Sequence, residues 1–257
     1  MNNLMNSHFK YGTTKEDIIK RNEYYEILEN VVVAPWWSSA IFEKFAEKIE
    51  KKSEKVYNVY GKDFQFTFIE LKNIGAPVIL EAILPLSLTS CKQIFFIGSA
   101  GSLNENINVG DLVIPLYSYN GVGACRYLND NLKDDFEFKY YPDESLNNKL
   151  MSVIKSTFPE YKSHFAVNYS VDTIFAQFPH LQHFIDLNCQ TIEMETSALF
   201  KCCELSNIKA CALFCISDNT VKNKSLFSGR NESERNLKRQ MRDSIIPQII
   251  IKTIQSL

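Results

Sequence analysis

The chain's 257 residues suffice for one large α/β domain, with two small ones the less favoured division. A content of 45% hydrophobic and 23% charged residues is that of a globular protein, and a net charge of −2 excludes a general attraction to nucleic acid or to an anionic membrane. The opening MNNLMNSHFKYGTTKEDIIKRNEYYE has no signal-peptide core, and no run reaches the roughly 18 apolar residues of a membrane helix, so a cytoplasmic protein is expected.

Residues 1–28 are polar and predict a short helix and extension ahead of a domain over 29–257. ENVVVAPWW (29–37) begins as a β-branched strand that stops at Pro35. Ser38 or Ser39 can cap a helix over 41–52, where Ile41, Phe42, Phe45, Ala46 and Ile49 follow the helical period. Residues 56–71 alternate as a hairpin does, turning at Gly61-Lys62-Asp63. A helix over 78–90 follows Gly75-Ala76-Pro77, with Pro85 expected to kink or split it. A buried strand at 93–97 runs into Gly98-Ser99-Ala100-Gly101-Ser102, and another at 112–116 follows the turn at Gly110-Asp111. Residues 118–145, rich in Asn, Asp, Gly and Tyr, predict a long functional loop. A helix at 146–158, a strand at 165–170 and a terminal helix over 232–256 complete the alternation, which predicts an α/β fold: a single three-layer αβα domain around a central mixed sheet. Among the late basic residues, Arg235, Lys238, Arg239 and Arg242 alternate with Glu232, Glu234 and Asp243, the pattern of a solvated helix face.

Chemistry concentrates in QTIEMETSALFKCCELSNIKACALFCISDNT (190–220). Glu193 and Glu195 bracket Met194 ahead of a Cys-rich helical pattern, and an unbroken apolar run over 210–216 reads as a strand buried on both faces. Ligands gather at the carboxyl ends of such strands, where Ser217 and Asp218 stand. The seven cysteines form no C-x-x-C pair and have no His partners at metal spacing; reduced thiols and no metal are expected. Gly98-Ser99-Ala100-Gly101 after its strand fits either an anion-cradling backbone or a bare tight turn.

Three motifs in order, IGSAGSL with INVGDLVIP, SVDTIF, and IEMETSAL with ISDN, together resemble the nucleoside phosphorylase superfamily of purine nucleoside phosphorylases, uridine phosphorylases and methylthioadenosine/adenosylhomocysteine nucleosidases. They span residues 56–220. The resemblance implies an enzyme that breaks the N-glycosidic bond of a nucleoside, favouring a purine because Ser217-Asp218 suits its N7. Phosphorolysis is the implied reaction, with inorganic phosphate as co-substrate and no cofactor. Release by water is the alternative, and a catalytically silent nucleoside-binding module the second. A homo-oligomer, a dimer or a trimer of dimers, is implied as well.

By the same resemblance Glu195 would accept from the sugar hydroxyls and Met194 would line the sugar's apolar face. Asp218 would protonate the departing base, assisted by Arg230. Phe175 with Ile174 would stack on the base, and Ser99, with Ala100 and Gly101, would sit beside the attacking phosphate or water. Glu193 and Ser217 complete the expected substrate contacts. Two departures bear on phosphate. Pro35-Trp36-Trp37-Ser38-Ser39 stands where many relatives carry a phosphate-binding Gly-Asp-Pro-x-Arg, and Phe96 stands where they carry a second arginine. Arg126 or Arg230 is the expected substitute anion contact, with the Trp pair expected at the pocket rim. Glu29, on the leading side of the first strand, is poorly placed to activate water.

Overall fold

The computed structural model describes residues 3–257, so the expected N-terminal extension begins outside the described residues. In chain order, α1 (Asn3–Phe9) and α2 (Lys15–Asn22) precede β1 (Asn30–Ala34), β2 (Lys48–Lys51), β3 (Val56–Gly61) and β4 (Phe64–Glu70). Then come α3 (Ala76–Ile83), β5 (Gln93–Ser102), β6 (Leu112–Gly121), β7 (Lys139–Tyr140), α4 (Glu144–Thr157) and β8 (Ser163–Val171). After these follow α5 (Leu181–Asp186), β9 (Thr191–Glu193), α6 (Thr196–Ser206), β10 (Lys209–Asn219), α7 (Glu232–Gln240) and α8 (Ile246–Gln255). A π-helical turn, Met241–Ile245, joins α7 to α8. It lies just ahead of Pro247, which has no N–H for the carbonyl one turn back.

The strands form one mixed sheet with helices on both faces, as expected. β1 lies parallel to β4 on one side and to β5 on the other, and β5 pairs in parallel with β10. β10, β6, β8, β9 and β5 pair in turn, so that half of the sheet curls back on itself, while β3 and β2 extend the other half antiparallel.

β10 shows why its sequence is apolar throughout. Ala210, Ala212, Phe214 and Ile216 enter the core beneath α3 and α6, whereas Cys211, Leu213 and Cys215 enter the core beneath α4 and α8. A central strand with helices on each side has no solvated face, so the usual polar alternation is absent. β1 and β5 divide in the same way, with Val31, Val33, Ile94 and Phe96 on one side and Val32, Ala34, Phe95 and Ile97 on the other.

Three expectations need correction. The helix over 41–52 is absent: Ser38 caps only a 3-10 turn, Ser39–Phe42, and Lys48–Lys51 pairs as a strand with Tyr57–Tyr60 of β3. Edge pairing there overrides the local helical period. The Gly98–Ser102 stretch is not a loop but the second half of β5, kept extended by pairing with β10 and β9. Residues 118–145 are also more ordered than expected, since β6 runs to Gly121 and β7 pairs back onto it.

That last segment is held by a buried ion pair. Lys201 of α6 pairs with Asp135, their side chains only 5% and 4% exposed. The ammonium also donates to the Cys125 carbonyl (3.0 Å) and to Asn129 Oδ1 (2.7 Å), and lies over the Tyr140 ring. Burial works against charge on Asp135, but bonds from Lys201 and Tyr140 outweigh it and hold the carboxyl below its ordinary value. Removing one member strands the other, so Lys201→Met is expected to cost about 3–5 kcal/mol by urea unfolding. Lys201→Met with Asp135→Asn should recover part of that loss; a single variant as stable as wild type would refute the clasp.

Candidate active site

The carboxyl ends of the parallel strands β1, β5 and β10 open into one cavity of about 340 Å³, within the range of small-ligand sites. Pro35 comes from the end of β1, Gly98, Ser99 and Gly101 from β5, and Ser217 and Asp218 from β10. Glu193, Met194 and Glu195 enter between β9 and α6, and Ile174 and Gln177 from the segment after β8.

Local register places Asp218. The pairing of β10 with β5 slips between Ile216 and Asp218, and the bulge sets Asp218 opposite Gly101. A Cβ on residue 101 would lie 3.1 Å from Asp218 Oδ2, so glycine leaves the carboxylate its room. The Ser217 hydroxyl donates to Asp218 Oδ1. Arg230 reaches the same strand end, where Nη1 donates to the Ser217 carbonyl at 2.9 Å and Nη2 to that of Leu226. Burial pushes the Asp218 carboxyl above its ordinary value, opposed by the Ser217 bond and the charges of Arg230 and Lys238.

The two glutamates divide in function. Glu193 accepts from Asn168 Nδ2 (2.7 Å), the Ser170 hydroxyl, the Thr196 hydroxyl (2.8 Å) and the N–H groups of Glu195 (2.7 Å) and Thr196 (2.8 Å). The last two are free donors at the start of α6, so Glu193 closes that helix end. Glu195 keeps a lighter set: the Gly75 N–H at 2.6 Å and the Met194 N–H at 3.3 Å. Burial, followed by the charge of Glu193, pushes Glu195 up to about 8.

The remaining expected residues divide between cavity and surface. Trp36 and Trp37 both border the cavity, the first 63% exposed at its rim and the second buried. Phe96 takes a place on the wall as well. Ala100 is buried in the core and faces away from the cavity. Phe175 does not reach the cavity either: it is 76% exposed and stacks on Phe227, with ring centroids 5.5 Å apart, while its neighbours Ile174 and Gln177 turn inward. Arg126 lies apart, exposed, with its Nε on the Gly123 carbonyl, and the 118–145 segment contributes nothing to the lining. Lys238 and Arg242 do line the cavity, although their sequence context predicts a solvated face. Leu237 explains the difference. Gly110 has φ +92, and a Cβ there would lie 2.3 Å from the Leu237 side chain, so glycine seats Leu237 and aims the next residue inward. Asp111 fixes that turn by accepting from the Asn108 N–H (2.9 Å) and His164 (3.0 Å). Among the described residues no group of three or more His, Cys, Asp or Glu side chains could hold a metal, and no helix is long and apolar enough to cross a membrane.

Glu195 ties stability to pH. Its carboxyl ionises near 4.5 when unfolded and near 8 when folded, so the native state holds the extra proton and stability falls as pH rises through that window. Glu195→Gln keeps an acceptor for Gly75 and should flatten this decline, unfolding at higher urea than wild type at pH 8. Equal pH slopes for the two proteins would refute the raised value.

Comparison with known proteins places the arrangement. A purine nucleoside phosphorylase DeoD-type from an Exiguobacterium strain is 23% identical over 221 residues, 81% of this chain and 88% of that protein. The crystal structure of uridine phosphorylase from Vibrio fischeri superposes with a TM-score of 0.75 at 17% identity, covering 91% of this chain and 95% of that one. The 5′-methylthioadenosine/S-adenosyl homocysteine nucleosidase of Campylobacter jejuni superposes with a TM-score of 0.70 at 16% identity, covering 89% and 100%. Residues 41–245 match the family model described as the phosphorylase superfamily, and with that match over most of its length the chain belongs to this superfamily.

Proposed function

We propose that the protein cleaves the N-glycosidic bond of a purine nucleoside by phosphorolysis. The observation that carries this reading is the placement of Glu195 and Asp218 on one cavity, both carboxyls raised by burial. Breaking a ribosyl C–N bond builds positive charge on the sugar and negative charge on the base. Asp218, whose carboxyl burial raises above its ordinary value, can hydrogen-bond or protonate N7 as the base departs. Glu195 can accept from the sugar hydroxyls, and its negative charge is favoured as the sugar becomes cationic, which stabilises the transition state more than the substrate. Met194 and Ile174 supply apolar wall. Arg230, tied to the Ser217 carbonyl, positions the strand end that bears Asp218.

Hydrolysis by the same residues is the second reading, favoured by Phe96 and the Trp pair where arginines would otherwise clamp phosphate. Self-association accords with the exposed Tyr127, Phe136 and Phe138, since aromatic side chains are enriched at subunit contacts. A cytoplasmic setting accords with seven buried, unpaired cysteines.

The test is release of free base from adenosine, inosine, guanosine, uridine and methylthioadenosine, each with and without phosphate. Phosphate-dependent release from a purine nucleoside is the expected result. Equal release without phosphate would replace phosphorolysis by hydrolysis, and no release from any of them would leave a binding module. Asp218→Asn should lower turnover by about 10²-fold or more, and a wild-type rate would remove Asp218 from the chemistry.

A further inference from the structure

Two cations on the cavity wall have no part in the chemistry above. Lys238 is half-buried beside the cavity and, among the described residues, makes no hydrogen bond or ion pair. Burial pushes its ammonium below the ordinary value; Arg230 and Arg242 push the same way, while Cys215 and Asp218 oppose them. Arg242 follows about one turn later on the same helical run. Its Nε and Nη2 hold Asp243, and Nη1 has no hydrogen-bond partner among the described residues. Ser99 borders the same cavity, and its hydroxyl likewise makes no hydrogen bond among the described residues.

Like charges one turn apart on a helix repel, and a cation drawn out of water without a counter-ion is costly. The fold nevertheless enforces the arrangement, because Leu237 is seated over Gly110 and carries Lys238 inward with it. A guanidinium edge, an ammonium and a hydroxyl opening on one cavity are the donors a tetrahedral or planar oxyanion requires.

We propose that Lys238, Arg242 and Ser99 form an anion subsite of the cavity. Its ligand is a phosphate, either free inorganic phosphate or a phosphate group carried by the nucleoside. The subsite rests on the reading of the cavity as a nucleoside site, and it supplies from the C-terminal helix the positive charge missing around Phe96 and Trp36.

The test is titration calorimetry of the full chain with inorganic phosphate and, separately, with a purine nucleoside 5′-monophosphate, at ionic strength fixed with chloride. Wild type should bind at least one of them. Lys238→Gln and Arg242→Gln should each weaken binding by about tenfold or more, the scale of a lost charge-assisted bond, and Lys238→Arg should restore it. Phosphate binding identifies a free co-substrate; binding of the monophosphate alone identifies an anionic substituent. No binding of either anion, or unchanged binding in both glutamine variants, overturns the subsite. Should Lys238→Gln lose the native circular dichroism spectrum, Arg242→Gln and Lys238→Arg carry the same test. Base release measured on the same samples separates the two ideas. Anion binding without base release overturns the nucleoside-cleaving reading alone, and base release without anion binding overturns the subsite alone.

Discussion

The carboxylate of Glu193 is where strand, helix and cavity are tied together. It is fully enclosed by donors from β8, from the first turn of α6 and from its own neighbours. Thr196 passes the connection on to the Ser118 hydroxyl, and Ser197 passes it to Asn120, which donates to Asp135. Asp135 meets Lys201, so a polar chain runs from the cavity wall beneath α6 to the segment that α6 clasps. Buried polar groups of this kind are tolerable only when every member is satisfied, which is why the connection extends so far. Since Glu193 closes the helix end, Glu195 remains available to the cavity with only two backbone donors.

That division gives the site its electrostatics. Two glutamates, two residues apart, have equal intrinsic acidity and differ here by the number of hydrogen bonds each receives. Burial raises the Glu193 carboxyl too, opposed by its bonds from Ser170, Glu195, Thr196 and Asn168. Burial, then the charge of Glu193, pushes the less bonded Glu195 up to about 8. Asp218 is raised above its ordinary value by burial, against the Ser217 bond and the charges of Arg230 and Lys238. Lys238 and Arg242 enter the same cavity, so positive charge stands beside the two raised acids.

Backbone register does the positioning. A bulge in β10 turns Asp218 toward Gly101, and the glycine at 110 makes room for Leu237, which brings the C-terminal helix over the strand ends. Each glycine acts through the space it leaves and not through any contact of its own. The stacked pair of Phe175 and Phe227 works from outside, linking the segment after β8 to the loop after β10 while Ile174 and Leu226 face the cavity.

The sequence alone determined the α/β class, the doubly buried strand at 210–216, the split helix at Pro85 and the terminal helix, and it singled out Glu195 and Asp218, which the fold brings onto one cavity. These follow from composition, local period, and motifs in which neighbouring residues act together. Only the tertiary structure decided which glutamate is held by the fold, because Asn168 and Ser170 come from another strand. It also decided that Phe175 faces solvent, that the 41–52 segment pairs as an edge strand, and that 118–145 is clasped away from the cavity. Lys238 and Arg242 were legible as charges but not as cavity residues. Their direction depends on a glycine more than a hundred residues earlier, and no local pattern carries that contact.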